Sequence, residues 1–492
     1  MGKLSELDLS MDPFADGPIG SSAENLHSAK VTRVIAKLSE VAIKTGKRES
    51  CELKYAQSIA DDPDWAVAQR DENVSFYRWQ GNYWKPQTKH EAQKHAFTWL
   101  ETNEPGLVSA KLATQCSQSA QFKAAVLPGQ PAADIVPLQD CWIVVNADGS
   151  LSVRTPDRSV GVTYQILASL NAAGATYVPA PVPGGTFFHS FLLTSLPNLE
   201  VRNLVQEYCG YTLLNDTRFQ VAQVWQGQGS NGKSVLLKIM QKLHQKSAAI
   251  RLDNMEKFGL QSLVDASLAV AAETPKRGIN EQVLKACITS DPVVIEAKQR
   301  NEFTYHSTAK WIIACNRFPH INDETDGVWR RLQIIDWNVQ FDKRNRIERL
   351  DELIIERELH HVVNWCLEGL QRLLRRGSFD EPQSVLANTM REKESSNTVL
   401  AFSEDYSVGY SEGGKTLAKD AIYEKYLSYC EECGHTPCGN VEFWSRMRAG
   451  FPHLKETKKR EGGRQKRHVN LAFFQPEPED MTTQEEINEA FK

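Results

Sequence analysis

The feature that most constrains this chain is the run Gly227-Gln228-Gly229-Ser230-Asn231-Gly232-Lys233-Ser234. It fits G-x-x-x-x-G-K-[ST], the spacing of a phosphate-binding loop. That pattern has meaning only between a strand and a helix. Both neighbours comply: Val221-Ala-Gln-Val-Trp225 is a short β-like run, and Val235-Leu-Leu-Lys-Ile-Met240 is helical in pattern. Gly227, Gly229 and Gly232 let the backbone turn tightly, so that its N–H groups point at phosphate oxygens. The helix opening at Lys233 adds its positive end. Lys233 supplies a point charge to the β- and γ-phosphates, and Ser234 offers a hydroxyl to Mg²⁺. Residues 227–235, closing with Val235, are therefore the expected nucleotide cradle, with ATP and Mg²⁺ as the expected cofactors.

A phosphate loop alone hydrolyses nothing. Hydrolysis also needs an acid, a group that senses the γ-phosphate and a cation for the transition state, and candidates follow in order. Ser267-Leu-Ala-Val-Ala-Ala-Glu273-Thr274 is an apolar run ending in a carboxylate, 40 residues after Lys233. Glu273 would polarise the attacking water and help Ser234 hold the metal. Trp311-Ile-Ile-Ala-Cys-Asn316 is a second apolar run ending in an amide, although an Asn after a strand is also an ordinary turn residue. The pair Arg330-Arg331 comes next. A guanidinium there would neutralise phosphate charge, in this subunit or a neighbour's, and Arg331 is the preferred one of the two.

Taken together, the loop, Glu273-Thr274, Lys285 with Thr289-Ser-Asp291, Phe303, Ile312-Ile-Ala-Cys-Asn316-Arg-Phe-Pro319 and Asp326-Gly-Val-Trp-Arg-Arg331-Leu resemble the superfamily 3 helicase domain of phage and plasmid primase-helicases. The resemblance spans residues 219–340. It extends more weakly to Gln206-Glu-Tyr-Cys-Gly210-Tyr upstream and to Ala421-Ile-Tyr-Glu-Lys-Tyr426 with Phe443 downstream. It implies an AAA+ type α/β motor that works as a ring, usually a hexamer, on single-stranded DNA with 3′ to 5′ polarity. ATP would sit between subunits, so an arginine acts in trans. Two positions depart from the family pattern: Ala272 stands where many members carry a second acid, and Ser290 where a Gly is common.

Two segments suit DNA. Pro292–Glu296 and Glu302–His306 read as a β-hairpin whose tip carries Lys298 and Arg300. In the family such a hairpin points into the central channel, where basic tips track a phosphate backbone. Between Lys455 and His468 lie seven Lys/Arg against two acids, including Lys458, Lys459, Arg460, Arg464, Lys466 and Arg467. Gly462-Gly463 turns this into a basic wing suited to duplex backbone at an origin or fork.

The chain has 492 residues, room for roughly three domains. The reading is a loose tail (1–28), an α+β N-terminal domain (29–195), the motor (196–345), a helical connector (346–394), a winged-helix-like module (395–475) and an acidic tail (476–492). Within the N-terminal domain, aromatic and apolar hairpins turn at Gly81-Asn82 and Asp148-Gly149. With net charge −5 and 41% apolar residues, any basic surface is local rather than global. No apolar run reaches membrane-spanning length, and the start of the chain has no signal-peptide pattern. Ten scattered cysteines read as reduced thiols in a host cytoplasm.

Other signals carry less. Cys430, Cys433, His435 and Cys438 have zinc-ligand types at cramped spacing, and zinc remains open there. Asp62 and Asp64 are poor candidates for a primase metal pair. Phe76, Tyr77, Trp79, Tyr83 and Trp84 suit core packing better than base stacking. The expectation is an ATP-hydrolysing replicative DNA helicase acting on single-stranded and forked DNA, alongside a separate primase or none. The alternative is an NTP-dependent initiator or loader that remodels DNA without processive unwinding. A bifunctional primase-helicase is weaker still.

Overall fold

The computed structural model describes residues 49–70, 73–129, 134–172, 174–272, 279–296, 302–316, 318, 321, 326–342, 347–395, 397–411, 413, 415–433, 437–461 and 464–474. The chain forms two compact units. One holds the residues up to Arg78 with Pro86–Leu127, and the other Trp79–Lys85 with everything from Pro128 onward.

The first unit is built from helix α1 (Cys51–Asp61), strands β1 (Trp65–Arg70) and β2 (Asn73–Trp79), the short β3 (Trp84–Pro86) that bridges the unit boundary, α2 (Lys89–Asn103), α3 (Ala110–Ala120) and β4 (Ala125–Val126). β1 runs antiparallel to β2 and parallel to β4. The helix starts follow capping chemistry. Ser50 accepts from the Leu53 N–H, Ser109 from the Leu112 N–H, and Thr88 with Glu91 forms a capping box. Tyr55, Trp65, Phe76, Ala96, Leu100 and Cys116 form the core.

The second unit opens with an antiparallel meander: β5 (Ile135–Pro137), β6 (Trp142–Val145), β7 (Leu151–Arg154) and β8 (Thr176–Tyr177). The β6–β7 turn holds Gly149 at φ +76°, a conformation that suits Gly. Leu138, Ile143, Val145 and Leu151 share one core with the helix that follows the phosphate loop. Leu127 ends the first unit, and the apolar face that follows it shares a core with Leu236, Ile239 and Met240. Helices α4 (Phe187–Ser195) and α5 (Leu199–Tyr211) come next, the latter capped by the Asn198 side chain.

At the centre lies a five-stranded parallel sheet. Its elements are β9 (Ala222–Gln226), α6 (Lys233–Leu243), β10 (Ser247–Ala249), β11 (Leu268–Ala271), α7 (Glu281–Thr289), the hairpin β12 (Val293–Ile295) and β13 (Phe303–Tyr305), β14 (Lys310–Cys315), α8 (Asp326–Trp329) and β15 (Leu332–Asp336). The strand order is β10-β11-β14-β9-β15, with every pair parallel. Both faces are covered, which is why these strands read as continuous apolar runs. Along β14, Ile312 and Ala314 face one core while Trp311, Ile313 and Cys315 face the other.

Helices α9 (Leu350–Arg357), α10 (Leu359–Arg376) and α11 (Gln383–Ser395) complete the packing. α10 lies close against α5, where a Cβ on Gly369 would come within 2.5 Å of the Gln206 carbonyl oxygen. The buried Glu207 accepts from Arg372 Nε at 2.7 Å and from Arg376. The C-terminal elements are α12 (Thr398–Asp405), β16 (Val408–Tyr410), β17 (Leu417–Ala418), α13 (Lys419–Cys433), α14 (Asn440–Gly450), β18 (Glu456–Glu461), β19 (Arg464–Val469) and β20 (Leu471–Phe473). Their sheets pair in the orders β17-β19-β18 and β16-β20. Phe402, fully buried, lies against the rings of Tyr426, Tyr429 and Phe443. The protein is thus a mixed α/β molecule, and no described helix is long and apolar enough to cross a membrane.

Beneath the sheet two ionisable groups are fully enclosed. The His244 ring lies between Ser267 Oγ at 2.8 Å and Thr212 Oγ1 at 3.1 Å. Burial, with the nearby Lys310 charge, pushes its pKa down to about 3. Lys310 donates to the Leu214 and Thr308 carbonyls, and burial brings it to about 7. Below the ordinary His value of 6.5, an unfolded His244 binds a proton that the folded one rejects, so stability falls as pH drops. Between about pH 7 and pH 5 this one ring is expected to remove roughly 2 kcal/mol. Urea unfolding at the two pH values measures it, and His244→Asn should shrink the drop.

Candidate nucleotide-binding site

The phosphate loop leaves the end of β9 and enters α6. Three ties hold it. The Gly227 N–H donates to the Cys315 carbonyl at 3.2 Å, the Phe341 N–H to the Ser230 carbonyl at 2.8 Å, and Asn231 Nδ2 to the Trp337 carbonyl at 3.0 Å. Two glycines are required by geometry. Gly232 caps α6 in the left-handed region at φ +91°, and a Cβ there would lie 2.5 Å from Ser195 Oγ. At Gly227 a Cβ would come within 2.5 Å of the Trp337 carbonyl oxygen.

Lys233 is the first residue of α6 and is 5% exposed. Its Nζ donates to the Gly227 carbonyl at 2.5 Å, and burial pulls its pKa below the ordinary lysine range. A desolvated ammonium at a helix start is stabilised by an anion. Ser234 is exposed beside it. The donor set therefore fits a nucleotide phosphate chain, with the Ser234 hydroxyl available to a magnesium ion.

These residues open into a cavity of about 1030 Å³. Gly229, Ser230, Asn231, Gly232, Lys233, Ser234 and Val235 line it, whereas Gly227 and Gln228 do not. Asn316, exposed just past the end of β14, and Ala272, just past β11, share the lining. Glu273, Lys298 and Arg300 lie outside the described residues. The β12–β13 hairpin pairs Val293 with Tyr305 and Ile295 with Phe303.

The arginine pair is split by exposure. Arg331 is 8% exposed and donates from Nη1 to the Gly327 carbonyl, while Arg330 is exposed. Burial, then repulsion from Arg330, lowers the Arg331 pKa, and Asp291 partly offsets this. Neither lines the cavity. Arg331, preferred by sequence as the group offered to a neighbour, is folded onto its own turn, whereas the Arg330 side chain is exposed.

Sequence reading missed the far wall of the cavity, formed by Phe187 and Phe191 of α4 and by Ile347, Arg349, Leu350 and Asp351 around the start of α9. Arg349 holds a left-handed backbone at φ 55° and pairs with Glu352, and Asp351 pairs with Lys238 of α6 at 3.0 Å. No local motif marks these residues, since only the packing of α4 and α9 beside α6 brings them to the loop. A separate cavity of about 470 Å³ is lined by Asp253, Glu256 and Glu281, a carboxylate set that repels phosphate.

The remaining candidates have structural placements. Lys458, Lys459, Arg460, Lys466 and Arg467 are exposed on β18 and β19; Arg464 begins β19, with its side chain outside the described residues. Cys430 is buried, Cys433 exposed, and Cys438 Sγ accepts from the Tyr426 hydroxyl at 3.3 Å, while His435 lies outside the described residues. Asp62 accepts the Asp64 N–H at 2.9 Å in a turn. Phe76, Tyr77, Tyr83 and Trp84 are buried, and Trp79 packs on Trp84.

Residues 225–331 match the model of a family of unknown function, DUF5906. No curated protein matches the chain. Among solved structures it is similar to the C-terminal region of NrS-1. One A-form apo structure of that region is 11% identical with a TM-score of 0.48, and a second, of residues 305–718, is 12% identical with a TM-score of 0.47. Each comparison covers 86% of this chain and 100% of the other.

Proposed function

We propose that this chain is an ATP-dependent DNA helicase of a mobile element's replication machinery, with an AAA+ type motor that works as a ring of identical subunits. The observation that carries the reading is the convergence of Lys233, Ser234 and Asn316 on one cavity at the carboxyl ends of adjacent parallel strands. Open α/β sheets bind ligands at that edge. β14 lies between β9, which feeds the phosphate loop, and β11, which leads to Glu273. Asn316, just past β14, shares the cavity with the loop that follows β9, where a group that positions the attacking water is needed. Lys233 and the loop N–H groups hold the phosphates. The apolar wall of Phe187, Phe191 and Leu350 suits a nucleobase. A magnesium ion held by the Ser234 hydroxyl would supply charge neutralisation to the phosphate chain. Arg330 is offered to the neighbouring subunit's γ-phosphate in a ring, which is a hexamer by the family resemblance. The β12–β13 hairpin and the C-terminal winged-helix-like module supply the DNA contacts, and translocation runs 3′ to 5′.

The test is strand displacement from a forked duplex by the full chain with ATP and magnesium, with Lys233→Ala as control. Unwinding that the substitution removes is the expected result. ATP hydrolysis and DNA binding without displacement would assign the chain instead to initiation or loading.

A further inference from the structure

We propose that the ribbon formed by β18 and β19 inserts edgewise into a groove of double-stranded DNA and is held by phosphates on both sides. The register places Lys458 opposite Arg467, Lys459 opposite Lys466 and Arg460 opposite Gln465. Directly opposed residues of an antiparallel pair share a face, and successive residues alternate between faces. One face therefore carries Lys458, Arg460 and Arg467, and the other Lys459 and Lys466. All five are exposed.

Like charges set directly opposite one another destabilise a ribbon, and here that happens at two successive positions. A polyanion removes the penalty. A ribbon meant to lie flat on a backbone or a lipid surface needs one basic face. Two basic faces fit a slot with anions on either side. The major groove of B-DNA admits a two-stranded ribbon, and both its walls are phosphate backbones.

The preceding helix does not compete for this role. On α14 the buried Arg446 binds Glu442, and Arg448 binds Glu456 at 2.8 Å, a carboxylate also held by Lys419 at 2.8 Å. The exposed Asn440, Val441 and Ser445 carry no charge. Electrostatic attraction is thus concentrated in the ribbon, and it addresses phosphates rather than base identity.

The experiment is fluorescence polarisation of the full chain, without nucleotide, on short duplexes of unrelated sequence across a salt series. Lys458→Ala with Arg467→Ala tests one face, and Lys459→Ala with Lys466→Ala the other. Each pair is expected to flatten the log–log salt slope by about 2, equally on every duplex sequence, with the thermal midpoint unchanged or raised, because the removed side chains are exposed and of like charge. Loss confined to one face would overturn groove insertion. Equal losses on single strands or on double-stranded RNA, whose major groove is too narrow to enter, would overturn the assignment to duplex DNA. The measurement needs no ATP, so its outcome is independent of the proposed motor.

Discussion

Phosphate release from ATP by the Lys233→Ala protein is expected to fall at least about 100-fold, the scale seen when one preorganised charge-stabilising donor is deleted from a catalytic site. Lys233 is well placed for an effect of that size. It opens α6, it is almost fully desolvated, and it lines the same cavity as Asn316. In such surroundings one cation acts far more strongly on a phosphate than it does in water. The same burial distinguishes a functional loss from a folding defect. Lys233 is held against its own desolvation, with its pKa pulled down, so removing it should leave the thermal midpoint unchanged or raise it. Loss of hydrolysis with an intact midpoint is the expected pair of results. Hydrolysis at the parental rate would remove the phosphate loop from the chemistry.

The Arg330→Ala protein should show a still larger defect, about 10³-fold or more in kcat, because a transition-state arginine supplied across an interface has that worth. Its nucleotide affinity should change little, since Arg330 lies outside the cavity. Mixing it with Lys233→Ala subunits provides the second readout. Each mixed interface that pairs an intact loop with an intact arginine should recover activity, whereas an arginine acting within its own subunit would give none. Arg331→Ala is expected to behave differently. Its guanidinium is buried against the Gly327 carbonyl, so the first effect should be a lower thermal midpoint. If Arg331→Ala instead lost turnover with an unchanged midpoint, the assignment of roles within the pair would have to be exchanged.

The parts of this molecule legible in its sequence are those set by local chemistry. A strand, a glycine-bearing loop and a helix predicted around residues 221–240 occur as β9, the loop and α6. The turn at Gly149 and the helix after Asn198 follow from positive φ and side-chain capping. The hairpin of β12 and β13 follows from two β-rich runs flanking a polar tip. What was not legible depended on distance along the chain. Phe187, Arg349 and Asp351 join the cavity only because α4 and α9 pack beside α6. The burial of Arg331 was equally invisible, since two adjacent arginines look alike until a turn closes over one of them. The division at Leu127 depends on which core receives the face of Leu138, Ile143 and Leu151, and periodicity names a buried face without naming its partner.

Strand β15 starts immediately after Arg331, and the residue after it, Trp337, accepts the Asn231 side chain of the phosphate loop while its own N–H binds the Gln226 carbonyl. A stiff rod of roughly 17 Å therefore has the Gly227–Ser234 loop tied to one end and Arg330 and Arg331 at the other. Its neighbour β9, which feeds the loop, is paired with it along its whole length. On the proposed reading, this one strand ties the grip on the fuel to the arginine edge within each copy of the molecule.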